Sequence, residues 1–163
     1  MTWGGWEGHE PKQTTDVFEA VLNEADFDVE VVNTLDVFLD AEKLKDQDLI
    51  VPCWTMSSIE KDQSEGLKEA IEGGVGLGGW HGGMADAFRQ DTGYQWMVGG
   101  QWVAHPGGVI DYRVDITNHD DPITRGVDDF DMHSEQYYMH IDPSNEVLVH
   151  TTFQTGDLAP WVN

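Results

Sequence analysis

Between Thr14 and Ala25 the apolar side chains Val17, Phe18, Val21, Leu22 and Ala25 recur at helical spacing and form one stripe. Asp16 and Glu19 near its start suit the positive end of a helix dipole. Asp28 to Asn33 (DVEVVN) reads as a short strand with Val29, Val31 and Val32 apolar. Asp48 to Cys53 (DLIVPC) is a continuous apolar run, the pattern of a strand buried on both faces. Ser57 and Glu60 have capping-box spacing and predict a helix to about Glu72, with Ile59, Leu67, Ala70 and Ile71 turned inward. Gly73-Gly74 ends it. Val75 and Leu77 predict a third buried strand, followed by a sharp turn at Gly78 to Gly83 and a short helix over Met84 to Gln90. Tyr112 to Thr117 and Glu146 to Phe153 (EVLVHTTF) read as strands, with loops rich in Gly, Asp and His between them.

Strand and helix alternate through the first half, which predicts an α/β doubly wound, mostly parallel sheet. With no linker or repeat, residues 1–163 read as one domain. Such a unit normally opens on a strand, yet only Met1, Thr2 and Trp3 precede Gly4. The chain stops at Asn163, soon after Pro160-Trp161. The expectation is a fragment, with its first strand clipped and a final strand or two absent.

Composition narrows the partners. The 163 residues are 39% hydrophobic, enough to pack a core, but 31 acidic residues face 8 basic ones for a net charge of −23. That field repels phosphate backbones and anionic headgroups, so neither nucleic acid nor a membrane surface is an expected partner. Because the acids spread along the whole chain, salt adaptation is one reading and an ordinary acidic protein the other. The lone Cys53 excludes an internal disulfide and a multi-cysteine zinc site. No apolar run is long enough to span a bilayer, and the N-terminus has no secretory pattern, so a cytoplasmic location is expected.

Three segments carry candidate chemistry. In Gly79-Trp80-His81-Gly82-Gly83 a strand gives way to a glycine-rich turn and then a helix, the setting of a nucleophile elbow, with His81 in the central position. The backbone N–H groups that follow could cradle an anion. In Gly4-Gly5-Trp6-Glu7-Gly8-His9-Glu10-Pro11, Gly5 permits close approach and His9 and Glu10 titrate, at the strand edge where open α/β sheets bind ligands. In His133 to Pro143, Glu135, Tyr137 and Met139 would share one face of an extended chain, opposite Gln136, Tyr138 and His140. Trp54 and Thr55 lie at the same carboxyl edge, and His105-Pro106-Gly107 makes a turn. Arg125, one of only three arginines, suits a structural ion pair better than an anion site. Cys53, ending a buried strand, reads as a small hydrophobe rather than a nucleophile. A divalent metal is open to His9, His81 and Glu135, with His105 and His140 at the same rim, although no fixed-spacing motif is present.

Five segments, GGWEGHEP at 4–11, GLGGWHGG at 76–83, VGGQWVAHPGG at 98–108, DDPITRGVDDF at 120–130 and SEQYYMHIDP at 134–143, together resemble ThuA-like proteins. These form the trehalose-utilisation family within the class I glutamine amidotransferase-like superfamily. The resemblance covers nearly the whole chain in order. It implies a flavodoxin-like three-layer α/β/α fold in which the amidotransferase cysteine is replaced, and a link to disaccharide and keto-sugar catabolism. It matches His81 to the family's elbow histidine, His9 to its first-loop histidine, and Glu135 with Tyr137 to a late Glu-x-Tyr element. His119 departs from the pattern, since it precedes Asp120-Asp121-Pro122 rather than standing directly before the proline.

The expectation is therefore an enzyme acting on a sugar or keto-glycoside by hydrolytic or eliminative acid/base chemistry. His81 and Glu135 would transfer protons, His9 would be a base or metal ligand, and Tyr137 a hydrogen-bond partner. Gly5, Trp6, Trp54, Trp80, Gly82, His105, Tyr138 and His140 would bind substrate, with the indoles offering flat faces to a pyranose. The expected partner is a small-molecule sugar, and a homo-oligomer is compatible with the sequence. The rival is a non-catalytic sugar-binding or regulatory module of the same fold. Glutamine amidotransfer is least compatible, because the elbow lacks its cysteine.

Overall fold

The computed structural model describes residues 1–153 and forms two compact units, Met1–Gln101 and the chain from Trp102 onward. Pro160-Trp161 and the end of the chain lie outside the described residues.

The first unit is built on parallel pairing. Strand β1 (Thr2–Gly5) pairs with β3 (Pro52–Thr55), and β2 (Leu49–Ile50) pairs with β4 (Gly76–Leu77). Strands β2 and β3 are successive parts of the expected apolar run, so this stretch is central, with β1 on one side and β4 on the other. The run is interrupted beside Pro52, which has no N–H to give a ladder. The expected strand over Asp28 to Asn33 reduces to a single parallel bridge, Thr2 to Val32. Its polar alternates face water, and Val32 forms the bridge, exchanging hydrogen bonds with Met1 and Trp3, while the Glu30 carbonyl accepts from the Met1 amino group.

Helix α1 (Pro11–Glu24) follows β1 and packs on β1 and β3, but not through the stripe expected from spacing. Pro11 and Thr15 are its buried residues, while Val17, Phe18 and Val21 are 61%, 38% and 53% exposed. Short helix α2 (Ala41–Lys45) leads into β2, and α3 (Lys61–Glu72) lies between β3 and β4. Helix α3 is capped one turn later than Ser57 predicts. Glu60 is the N-cap, and its side chain and that of Gln63 close the box reciprocally. Leu67 and Ala70 are buried as expected, and Ile59 and Ile71 pack against the same core. That core joins Phe38, Leu44, Ile50, Leu67, Phe88 and Tyr94. Helix α4 (His81–Ala85) starts at the elbow itself rather than at Met84, and α5 (Thr92–Val98), not foreseen, is capped by Asp91. Burial raises the Asp91 pKa, but hydrogen bonds from Ser64 and the Tyr94 N–H and the charge of Lys68 more than offset that and leave it below its ordinary value.

The second unit is antiparallel where the pairing is resolved. Strand β6 (Val109–Ile116) lies between β7 (Phe130–Glu135) and β9 (Val149–His150). The register sets Val109 opposite Glu135 and Asp111 opposite His133. Strand β5 (Gly100–Ala104), whose residues from Trp102 onward belong to this unit, pairs with β8 (Tyr138–Ile141). The strand expected over Glu146 to Phe153 is confined to β9. The chain is thus mixed α/β, with parallel sheets in one unit and antiparallel pairing in the other. Among the described residues no helix is long and apolar enough to cross a membrane.

Most ion pairs of these units are exposed, such as Lys43–Glu30 and Lys61–Glu65, and eight basic residues leave most of the 31 acids uncompensated. Raising salt from about 0.1 M to 1 M shortens the Debye length from roughly 10 Å to 3 Å and relieves that repulsion. The thermal midpoint should therefore rise between those concentrations, by about 2–4 °C for each kcal/mol gained in a chain of this size. A midpoint that is flat or falls with salt would remove the case for salt adaptation.

Candidate functional site

Three loops of the first unit leave the carboxyl ends of its parallel strands, where open α/β sheets gather ligands. The loop after β1 carries Trp6 and His9, β3 ends on Thr55, and the turn after β4 presents His81. Each departs through backbone that L-residues seldom adopt. Glu10, Met56 and His81 have φ of 48°, 51° and 48°. Such strain persists only where surrounding structure imposes it, and it concentrates at functional sites.

The elbow at His81 has the expected form. Trp80 is extended, His81 turns into the left-handed region as the first residue of α4, and its side chain is exposed. The next two residues must be small. A Cβ on Gly83 would come within 3.0 Å of the Cys53 Cα, and one on Gly82 within 2.6 Å of the His9 ring and 3.0 Å of the Thr55 methyl. The far side is tied down by hydrogen bonds from Met56 N–H to Asp86 O (2.8 Å) and Ser57 N–H to Ala87 O (2.9 Å). Asp86 itself is buried and held by Arg89 in a two-pronged pair. At five residues, α4 is too short to sustain the anion cradle expected behind the elbow.

His9 and His81 meet edge to face with ring centroids 4.8 Å apart, and Trp6 lies 4.8 Å from His9 on a similar edge contact. The Nδ1 of His9 is 3.1 Å from the Thr55 hydroxyl. Gly5 matters by close approach. Its φ is 78°, and a Cβ there would fall 2.1 Å from the Thr55 carbonyl oxygen, which accepts the Trp6 N–H at 2.8 Å. Two imidazoles at this separation can pass a proton or bind a borderline divalent cation. Trp80 stacks on Phe18 at 3.9 Å, which accounts for the position of that exposed α1 side chain. Trp54 packs its ring over Gly4 and against the core. Cys53 is buried, against the Thr14 hydroxyl and the Pro11 carbonyl, as its reading as a small hydrophobe requires.

The second unit gathers another set. His105 Nε2 lies 3.6 Å from a Glu135 carboxylate oxygen, and the His105 ring lies over Tyr137 and near Trp102. The stretch expected to run extended from His133 breaks at Gln136, which is buried and donates to the Thr151 hydroxyl at 2.9 Å. Beyond that break Tyr137 and Met139 are half-buried, while Tyr138 and His140 are exposed, with ring centroids 6.0 Å apart. Arg125 donates to the Asp120 carbonyl at 2.8 Å and so braces its own loop. Thr55, expected at the carboxyl edge, and Trp102, inside the 98–108 segment, take part in these clusters although the sequence assigns neither a site role.

Comparison with known proteins agrees with this architecture. Among solved structures, a protein described as ThuA-like from Bacteroides uniformis is 21% identical and superposes with a TM-score of 0.70 over 87% of this chain and 60% of its own. The chain thus spans about 60% of that relative's length, and the likeness establishes the mixed α/β fold. No curated protein matches the chain at a significant level. The family model for ThuA, trehalose utilisation, matches residues 1–163 from end to end, and the chain belongs to that family.

Proposed function

We propose that the protein acts on a disaccharide or keto-glycoside in carbohydrate catabolism, by acid/base chemistry centred on the elbow histidine. The observation that carries this reading is the edge-to-face pair of His9 and His81 at the carboxyl edge of a parallel sheet, with His81 in strained backbone. An amidotransferase-type thiol nucleophile has no place there, because the imidazole of His81 stands in its position. Membership of a trehalose-utilisation family supports the choice of substrate class.

A keto-sugar suits such a pair. A carbonyl at C3 makes the C2 proton acidic. Removing it lets the electron pair form a C1–C2 double bond as the bond to the glycosidic oxygen breaks, and that oxygen takes up a proton. Water then adds across the double bond. The step needs one group to accept a proton and one to return it, and imidazole can do both. We assign His81 as a proton-transfer group and His9 as its neighbour. Glu135 is a further proton-transfer group and Tyr137 a donor to sugar oxygens, as the family's late Glu-x-Tyr element implies. Trp6 and the Phe18-supported Trp80 offer faces on which sugar C–H groups pack. A flavodoxin-like layering within a single domain over 1–163 belongs to the same proposal, supported by the parallel β1–β3 and β2–β4 pairs.

Incubation with 3-keto-disaccharides, followed by product analysis, tests this. Release of the free sugar by the native chain, with a loss of about 10²–10⁴-fold in Glu135→Gln, is the expected result for a general acid or base. Saturable binding without product would instead assign a sugar-binding module.

A further inference from the structure

The side chain of Thr55 is 2% exposed, at the last residue of β3. Its hydroxyl lies 3.1 Å from His9 Nδ1, and among the described residues no other partner of that hydroxyl is recorded. A threonine hydroxyl holds one proton and two lone pairs, whereas neutral imidazole carries its proton on one nitrogen only. Two arrangements fit the distance. If Nδ1–H donates to the hydroxyl, the hydroxyl proton is left buried with no acceptor, which is costly in a dry site. If the hydroxyl donates to Nδ1, the buried hydroxyl and the half-buried ring nitrogen are both satisfied and the ring proton sits on Nε2.

We infer that Thr55 is a positioning residue that holds His9 as its Nε2–H tautomer, so that His9 presents a hydrogen-bond donor rather than a lone pair. Three features hold the ring in that register. The Gly82 backbone lies so close that any side chain there would strike it, Trp6 flanks one edge, and the Thr55 backbone is locked to Gly5 and Trp6 by the β1–β3 ladder. The inference deepens the proposed function and rests on it for its meaning. Within that reaction His9 supplies a hydrogen bond to the sugar oxygen, and the proton-accepting role passes to His81. Direct coordination of a cation through His9 Nε2 would require that proton to leave.

The test is spectroscopic and needs no substrate. In protein labelled with ¹⁵N-histidine, at a pH where the ring is neutral, long-range ¹H–¹⁵N correlations report which nitrogen of His9 carries the proton. The native protein should show Nδ1 unprotonated and Nε2 protonated. Thr55→Val, near in shape but without the hydroxyl, should lower the Nε2–H to Nδ1–H ratio by about tenfold, the weight of one hydrogen bond. Thr55→Ser should restore it. A native His9 with its proton on Nδ1, or a Thr55→Val spectrum identical to native, overturns the assignment. Should Thr55→Val fail to fold, the native tautomer alone decides. Sugar turnover can be absent while this tautomer is present, and present while it is absent, so the two claims fail separately.

Discussion

Replacing His81 with alanine should lower turnover of a 3-keto-disaccharide by about 10²–10⁴-fold, the range for losing a general acid or base. The substitution has a second, separable effect. His81 sits at φ 48°, where any residue with a Cβ is strained by roughly 1–2 kcal/mol and glycine is not. His81→Gly should therefore be more stable than His81→Ala by about 1 kcal/mol in chemical denaturation, yet equally inactive. Shared inactivity with divergent stability would attribute the loss to the imidazole rather than to the turn. Activity returning with glycine would show that the turn alone matters.

Gly82→Ala should be nearly as damaging, although it removes no functional group. The new methyl would lie 2.6 Å from His9 Cε1 and 2.9 Å from Nδ1, with the Thr55 methyl 3.0 Å away. Threonine is fixed in the strand and cannot retreat, so the His9 ring must swing out. Misplacing a reacting group by about 1 Å costs on the order of 10²-fold. Overpacking of this kind also destabilises by about 1–3 kcal/mol. The check is kcat beside the His9 resonances. Both should change together, and native turnover with shifted resonances would release His9 from the reaction.

Where local chemistry decides the structure, the sequence was readable. A glycine-flanked histidine between a strand and a helix announces an elbow, because few side chains fit beside Cys53 and His9. The apolar run at 48–53 announces the central strand, and the Leu67/Ala70 spacing announces the inward face of α3. Where tertiary packing decides, it was not. The periodic stripe of α1 faces outward, while Thr15, a polar residue, is buried. Val29 and Val31 suggest a strand whose ladder exists only at Val32. The cap of α3 lies at Glu60 rather than Ser57, since Gln63 can reach back to it. The site follows the same division. His9, His81 and Glu135 stand in motifs, whereas Thr55 reaches His9 across 46 residues through strand pairing that no local pattern encodes. His105 and Glu135 come within 3.6 Å in the second unit by the same kind of long-range folding.

The central claim is that the imidazoles of His9 and His81 face a sugar. Its most direct measurement is a titration of ¹⁵N-histidine-labelled protein with a non-hydrolysable keto-disaccharide, read at each ring. His9 and His81 should shift together and saturate along one binding curve, while the exposed His133 and His150, paired with Asp111 and Asp115 on the second unit's sheet, stay in place. Saturable binding that leaves both His9 and His81 unmoved would contradict the account.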